Sequence, residues 1–240
     1  MRRYPGVVVG IVKNLEDPDN EGRIELEFPW LTEEEERSAW APIATLMAGG
    51  ERGAYFMPEI DDEVLVAFEH GEFDHPFVVG FLWNGAQPPP HSDINPSVRR
   101  LRTVSGHRVE FDDNGGQEQI LIITAGGHEI EMKDKPLASI TVTTKGGQEV
   151  KLNDAPAEVS IKTTGGNEIS VSDAPAGIVL SVPQGKVDVK CVQASVSATT
   201  LLKITAPMTT FSGVVQVPTL IAQSVVGSAY TPAPGNTYGL

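Results

Sequence analysis

The side chains able to do chemistry are few, and their spacing does not bring them together. Five histidines, His70, His75, His91, His107 and His128, contain no pair at the spacing of a zinc-binding helix. His107 and His128 occupy the place that Gln148 and Asn167 fill in later copies of one repeated pattern, so they read as polar turn residues, and His70 and His75 flank another turn. Glu33–Glu36 and Asp61–Glu63 are runs of adjacent acids, which seldom converge on a cation without further oxygen ligands. Solvated loops are expected at both, with no metal and no other cofactor. Glycoside hydrolysis would need two carboxyl groups facing one groove, one of them desolvated. Glu110, Glu131 and Lys151 instead fall on the outward face of short strands. There is no Gly-x-Ser-x-Gly elbow, and the Gly-Gly pairs precede strands where a phosphate cradle requires a helix. No catalytic residue is assigned and no enzyme is expected.

Charge narrows the partners. The 240 residues hold 18 Lys and Arg against 32 Asp and Glu, a net charge of -14 that repels phosphate backbones, so nucleic acid is excluded as a partner. Arg99, Arg100 and Arg102 are a local exception, expected to pair with carboxylates of a neighbouring chain. Cys191 is the only cysteine, which excludes an internal disulfide.

The elements that must position these residues announce themselves as a repeat. Ser105-Gly-His-Arg-Val-Glu-Phe-Asp-Asp113 recurs as Gly126–Asp134, Gly146–Asp154 and Gly165–Asp173, and the closing aspartates lie 21, 20 and 19 residues apart. In each copy two apolar residues stand two apart: Val109 and Phe111, Ile130 and Met132, Val150 and Leu152, Ile169 and Val171. That period is a strand with one buried face. Alternating runs at Ile120/Ile122, Ile140/Val142 and Val159/Ile161 precede the later copies, so each unit is two strands and two turns. Gly-Gly opens one turn because glycine reaches positive φ without penalty, and Asp-x-Pro closes the other. Such short strands cannot enclose a core alone. An intertwined homotrimer, a triple-stranded β-helix whose core is those eight residues, is favoured over a single-chain solenoid and over a flat meander or sandwich.

The chain before the repeat reads as five strands, Val7–Lys13, Arg23–Phe28, Ala39–Thr45, Val64–Glu69 and Phe77–Trp83, suited to a small barrel of the OB type. The fold class is therefore all-β. The expected domains are an OB barrel over 1–85, a proline-rich linker and neck over 86–104, the spike over 105–229 and a cap or docking tail over 230–240. From Cys191 onward the only charged side chain is Lys203, an aggregation hazard for a monomer that interwinding would remove. The N-terminal apolar stretch is too short for a secretion signal, and no window approaches a membrane span. Synthesis in a bacterial cytoplasm is expected.

Five blocks of the first domain carry a resemblance. Gly22–Trp30, Ala39–Ile43, Met57–Phe68, Gly71–Pro76 and Val79–Gly85 are similar in order and spacing to the OB domain of contractile-injection spikes, which include phage baseplate assembly protein V and VgrG of type VI secretion. Ser105–Asp113 resembles that family's entry into its β-helix, and Tyr230–Asn236 its ending in phage members. The resemblance implies a structural central spike that pierces the target envelope when a sheath contracts. It further implies a homotrimer, a separate hub protein at the OB end, a PAAR-type tip protein at the other, transient contact with the target membrane, and assembly into a virion or injection particle. The His-x-His site found near the tip of some phage spikes does not occur in this sequence. The competing reading is a trimeric tail fibre or adhesin that binds a surface glycan or receptor.

Overall fold

The computed structural model describes residues 3–31, 38–90 and 95–227. The expected tail over 230–240, the Glu33–Glu36 run and His91 lie outside them. The chain divides into one unit ending at Lys186 and a second beginning at Val187.

The first unit opens with β1 (Val7–Asn14) and β2 (Glu25–Glu27), then a small hairpin of β3 (Ala48–Gly49) and β4 (Arg52–Gly53), then β5 (Glu63–Phe68) and β6 (Pro76–Leu82). The antiparallel order is β2-β1-β5-β6. Two isolated bridges close this row into a ring, antiparallel between Ile24 and Ala41 and parallel between Ile43 and Val78. A five-membered closed ring of this kind is the OB barrel. The third expected strand, Ala39–Thr45, is thus present only as those bridges. Pro42 sits between them with no N–H to donate, so the ladder breaks there, although its carbonyl still accepts from Val78 N at 3.0 Å.

The barrel is filled by Val12, Ile24, Leu26, Phe28, Ala41, Val64, Val66, Phe68 and Val78. On β5 these alternate with half-exposed residues, the period-2 signature of a wall with one buried face. Gly10 on β1 lets that wall close: a Cβ there would stand 3.2 Å from Phe28 Cε1 and 3.3 Å from Val66 Cγ2. One end is sealed by an aromatic cluster in which Phe28 meets Trp30, Phe68 and Phe73 at centroid distances of 5.6, 5.7 and 5.5 Å.

Nine strands follow as one antiparallel sheet in chain order: β7 (Val98–Arg102), β8 (Arg108–Asp112), β9 (Gln119–Ile123), β10 (Glu129–Lys133), β11 (Ser139–Thr143), β12 (Glu149–Asp154), β13 (Ala157–Lys162), β14 (Glu168–Asp173) and β15 (Ala176–Ser181). The four pattern copies are β8, β10, β12 and β14, and the intervening alternating runs are β9, β11 and β13. The sheet begins earlier than the repeat, because β7 lies in the segment read as neck. Two of its three arginines pair inside the chain, where carboxylates of a neighbouring chain were expected: Arg99 with Asp113 at 2.6 Å and Arg100 with Glu110. Arg100 also donates to the carbonyl of Pro90 at 2.9 Å, which fastens the proline-rich segment to the sheet.

The second unit differs in kind. From Val187 to Gly227 no residue belongs to a strand or helix, and every residue is exposed. No helix among the described residues is long and apolar enough to cross a membrane.

Candidate assembly interface

The register of the nine-stranded sheet turns the apolar pairs of the sequence into rows. Val109 faces Ile122, which faces Ile130, then Val142, Val150, Ile161, Ile169 and Leu180 on successive strands. Phe111, Ile120, Met132, Ile140, Leu152, Val159, Val171 and Ile178 form a second row beside it through the same pairings. All eight sequence-assigned residues, Val109, Phe111, Ile130, Met132, Val150, Leu152, Ile169 and Val171, lie on this one face, four in each row. Among the described residues none buries them. Val150 is 38% exposed, Leu152 42% and Ile169 46%, unusual values for apolar residues at the middle of a nine-stranded sheet.

The opposite face is mostly polar and carries several ion pairs within the chain. Its central positions are Arg100, Glu110, Leu121, Glu131, Thr141, Lys151, Ser160, Ser170 and Val179. Glu110 was read as an outward carboxylate but is buried, held between Arg100 and Arg108. Glu131 pairs with Lys133 at 2.7 Å. Lys162 and Glu168, opposite each other on β13 and β14, approach to 3.2 Å, and that hydrogen bond raises the lysine's pKa.

Two kinds of turn set the register. On one edge Thr103, Thr124, Thr144 and Thr163 each repeat one arrangement: the threonine N–H donates to the carbonyl four residues on, and its Oγ1 accepts the N–H of that same residue. The glycine before that residue, Gly106, Gly127, Gly147 or Gly166, has φ between 82 and 95°, where a side chain would be strained. The histidines act here as their repeat position implies. His107 Nδ1 accepts from Ala125 N at 3.2 Å and His128 Nδ1 from Lys145 N at 3.4 Å, so each ties its turn to the next. On the other edge Lys135 meets Glu118 at 3.0 Å, and Gly116 N donates to the same carboxylate. The Glu118 pKa is lowered, first by its own backbone N–H and then by Lys135.

The barrel also presents apolar residues outward, a feature not read from the sequence. Val7 faces Ala67, which faces Phe77, and Val9 faces Leu65, so one apolar wall covers the outside of β1, β5 and β6. Beside it an open groove is lined by Met47, Tyr55, Phe56, Val79 and Phe81. The signal was available. Val7–Val12 and Pro76–Leu82 are almost continuously apolar, which marks strands covered on both faces. Among the described residues no cluster of three or more His, Cys, Asp or Glu could hold a metal ion.

Residues 8–83 match the model of the type VI secretion system/phage-baseplate injector OB domain. Over 113 residues, 43% of this chain, the sequence is 31% identical to the type VI secretion system spike protein VgrG3 of Vibrio cholerae and covers 11% of that protein. It is 30% identical over 113 residues, 43% of this chain, to the actin cross-linking toxin VgrG1 of the same species, covering 10% of it. It is 27% identical over 128 residues, 48% of this chain, to the spike protein VgrG1c of Pseudomonas aeruginosa, covering 18% of it. The chain thus spans less than a fifth of the length of these curated relatives, and the toxin name describes that protein alone. On its closed five-membered ring and these matches, this all-β chain carries at residues 8–83 an OB domain of the type VI secretion system/phage-baseplate injector kind and is similar to VgrG spike proteins.

Proposed function

We propose that the chain is the structural central spike of a contractile injection machine and works as a homotrimer that pierces the target envelope when the sheath contracts. The observation that carries this reading is the pair of apolar rows left open along eight successive strands. A face of that length needs a cover, and a second and third copy of the same face provide one of matching length and spacing. Three sheets packed row to row make a prism with an apolar axis and a charged, hydrogen-bonded exterior. Obligate interfaces of this type bury about 2,000 to 5,000 Å² or more.

A piercing part must resist bending and local unfolding. Here every strand from β8 to β14 is paired on both edges within its own sheet, so pulling one strand free breaks two ladders. The barrel, with its apolar outer wall and groove, suits a separate hub protein, and a tip protein of the PAAR type is assigned to the C-terminal side of the chain. A fibre or adhesin would share the trimeric rod. The injector match over residues 8–83 favours the spike.

The test is mass in solution. Light scattering coupled to size exclusion should give three chains, about three times 25.7 kDa. A monodisperse single chain would overturn the trimer. Addition of the spike to a sheath-and-tube particle lacking it should restore contraction-dependent killing, and failure with a folded trimer would overturn the piercing role.

A further inference from the structure

The first two strands of the long sheet carry more positive charge than they neutralise. Arg100 and Arg102 on β7 and Arg108 on β8 share one region of the polar face. The register sets Arg102 directly opposite Arg108 and Arg100 opposite Glu110, while Leu101 and Val109 between them turn to the apolar face. Like charges directly opposite each other on paired strands are destabilising. One carboxylate serves all three arginines. Glu110 is 7% exposed, and its Oε2 accepts from Arg100 Nε. Arg108 Nε stands 3.6 Å from that same oxygen, beyond hydrogen-bond distance, and is buried with no acceptor. Arg102 is exposed and has no ion pair or side-chain hydrogen bond among the described residues. Three positive charges thus stand against one negative charge.

The acids nearby are spent or distant. Beyond Arg108 the same column runs to Ile123 and only then to Glu129, two strand spacings or about 10 Å away. Asp112 accepts from Asn114 through both its backbone N–H and its Nδ2, and Asp113 pairs with Arg99. At physiological salt, exposed charges farther apart than about 8 Å are largely screened. The net charge of -14 therefore keeps an extended polyanion away, yet it does not decide what one small anion meets at this spot.

We propose that Arg102 and Arg108 form a binding site for a dianionic phosphate group, carried by a monoester or free in solution. The chemistry follows from the charge left over. Two unpaired guanidinium groups face each other, and a carboxylate brings only one negative charge to them. A phosphate monoester carries about -1.5 to -2 at pH 7 and three acceptor oxygens, so one group can accept from both arginine forks at once. The planar fork of arginine matches phosphate in a way that a lysine ammonium does not. Arg100 and Glu110 are positioning residues: Glu110 is fixed by Arg100 and stands beside the Nε of Arg108, which leaves the outer nitrogens of Arg108 and all of Arg102 for the ligand. The site lies within one chain, so it holds whatever the number of copies in the assembly.

The test is titration calorimetry of the full chain with methyl phosphate. Expected are saturable binding at one site per chain and a dissociation constant on the order of 1 mM, within reach of so small a ligand. Binding should tighten as pH rises from about 5 to 7, through the second ionisation of the probe near 6. Dimethyl phosphate, which keeps a single charge, should bind at least about 10-fold more weakly. Arg102→Gln and Arg108→Gln should each weaken methyl phosphate on the order of 10-fold. Arg99→Gln removes the same charge from the other face of β7 and should change binding less than about 2-fold. Should Arg108→Gln fail to fold, the exposed Arg102 still carries the comparison. Vesicles separate the sources of the phosphate: binding to phosphatidic acid, a monoester, that is lost in Arg102→Gln assigns a lipid headgroup, and titration by methyl phosphate without vesicle binding assigns a free phosphate. No saturable binding up to about 10 mM, or equal weakening by all three variants, would overturn the site.

Discussion

Asp17 shows how one side chain fixes a whole loop between β1 and β2. Its carboxylate accepts from the backbone N–H of Asp19, Glu21 and Arg23 at 3.1, 2.9 and 3.1 Å, and from the Arg23 guanidinium at 3.0 and 2.7 Å. The guanidinium is the main reason its pKa falls far below the usual carboxylate range, against an opposing effect of burial. The sign follows from linkage. A carboxyl whose pKa is lower folded than unfolded adds stability above the unfolded value of about 3.9, and that stability is lost as pH falls toward the folded value. Asp17→Asn should therefore lower the melting temperature at pH 7 and flatten its decline below about pH 4, as read by calorimetry across pH. An unchanged acid limb would mean the loop is held by other contacts. Gly10 is the second residue with an outsized role. Gly10→Val would press on Phe28 and Val66 and should cost about 1 to 3 kcal/mol, measurable as a shifted denaturant midpoint with the slope unchanged. The turn-forming residues around Asp17, Glu16 to Gly22, declare a bend and not which carboxylate will gather the donors. Gly10 was invisible among three valines and an isoleucine, since close packing is a property of partners distant in the chain.

At the scale of elements, legibility followed the strength of the period. The strands of the repeat were readable because apolar residues two apart, a glycine at positive φ and a proline turn recur together. The third barrel strand was misread because Pro42 stands inside it: composition still favoured a strand, while the missing N–H reduced it to two bridges. β7 was missed for a different reason. Its arginines looked like a neck, yet one side of it, Arg100, pairs with Glu110 on the adjoining strand, so the charge that hid the strand also holds it. The turns invite a direct test. At Gly147 φ is 83°, and a Cβ would stand 2.7 Å from Thr164 Cγ2. Gly147→Val should cost roughly 1 to 2 kcal/mol or more from left-handed strain alone, seen as a lower unfolding midpoint. Gly115, with nothing within 4 Å of its Cβ position, supplies the control, and Gly115→Ala should stay within about 0.5 kcal/mol. Equal losses at both would mean the turn geometry does not set the register.

For the molecule as a whole the decisive question is which face of the sheet meets another copy, and adjacent residues on β12 answer it. Val150 lies in an apolar row between Val142 and Ile161, whereas Lys151 points to the other face between Thr141 and Ser160. Val150→Asp and Lys151→Gln each lower the charge of the chain by one unit, so long-range repulsion changes equally and only the face differs. In a trimer with its axis on the apolar rows, Val150→Asp places three carboxylates together in a dry core. Each costs several kcal/mol of desolvation with no partner to offset it. The carboxylates also repel each other, and protonation is their only relief. Val150→Asp should therefore shift the solution mass from three chains toward one at neutral pH, with recovery of the trimer as pH falls through the raised pKa of the clustered acids. Lys151→Gln should keep the three-chain mass at every pH. If the Asp variant stays trimeric at pH 7, the apolar rows do not face the axis; if the Gln variant alone dissociates, the polar face does. Trimers from both variants would place the contact elsewhere, with the apolar outer wall of the barrel, Val7, Ala67 and Phe77, as the remaining candidate surface.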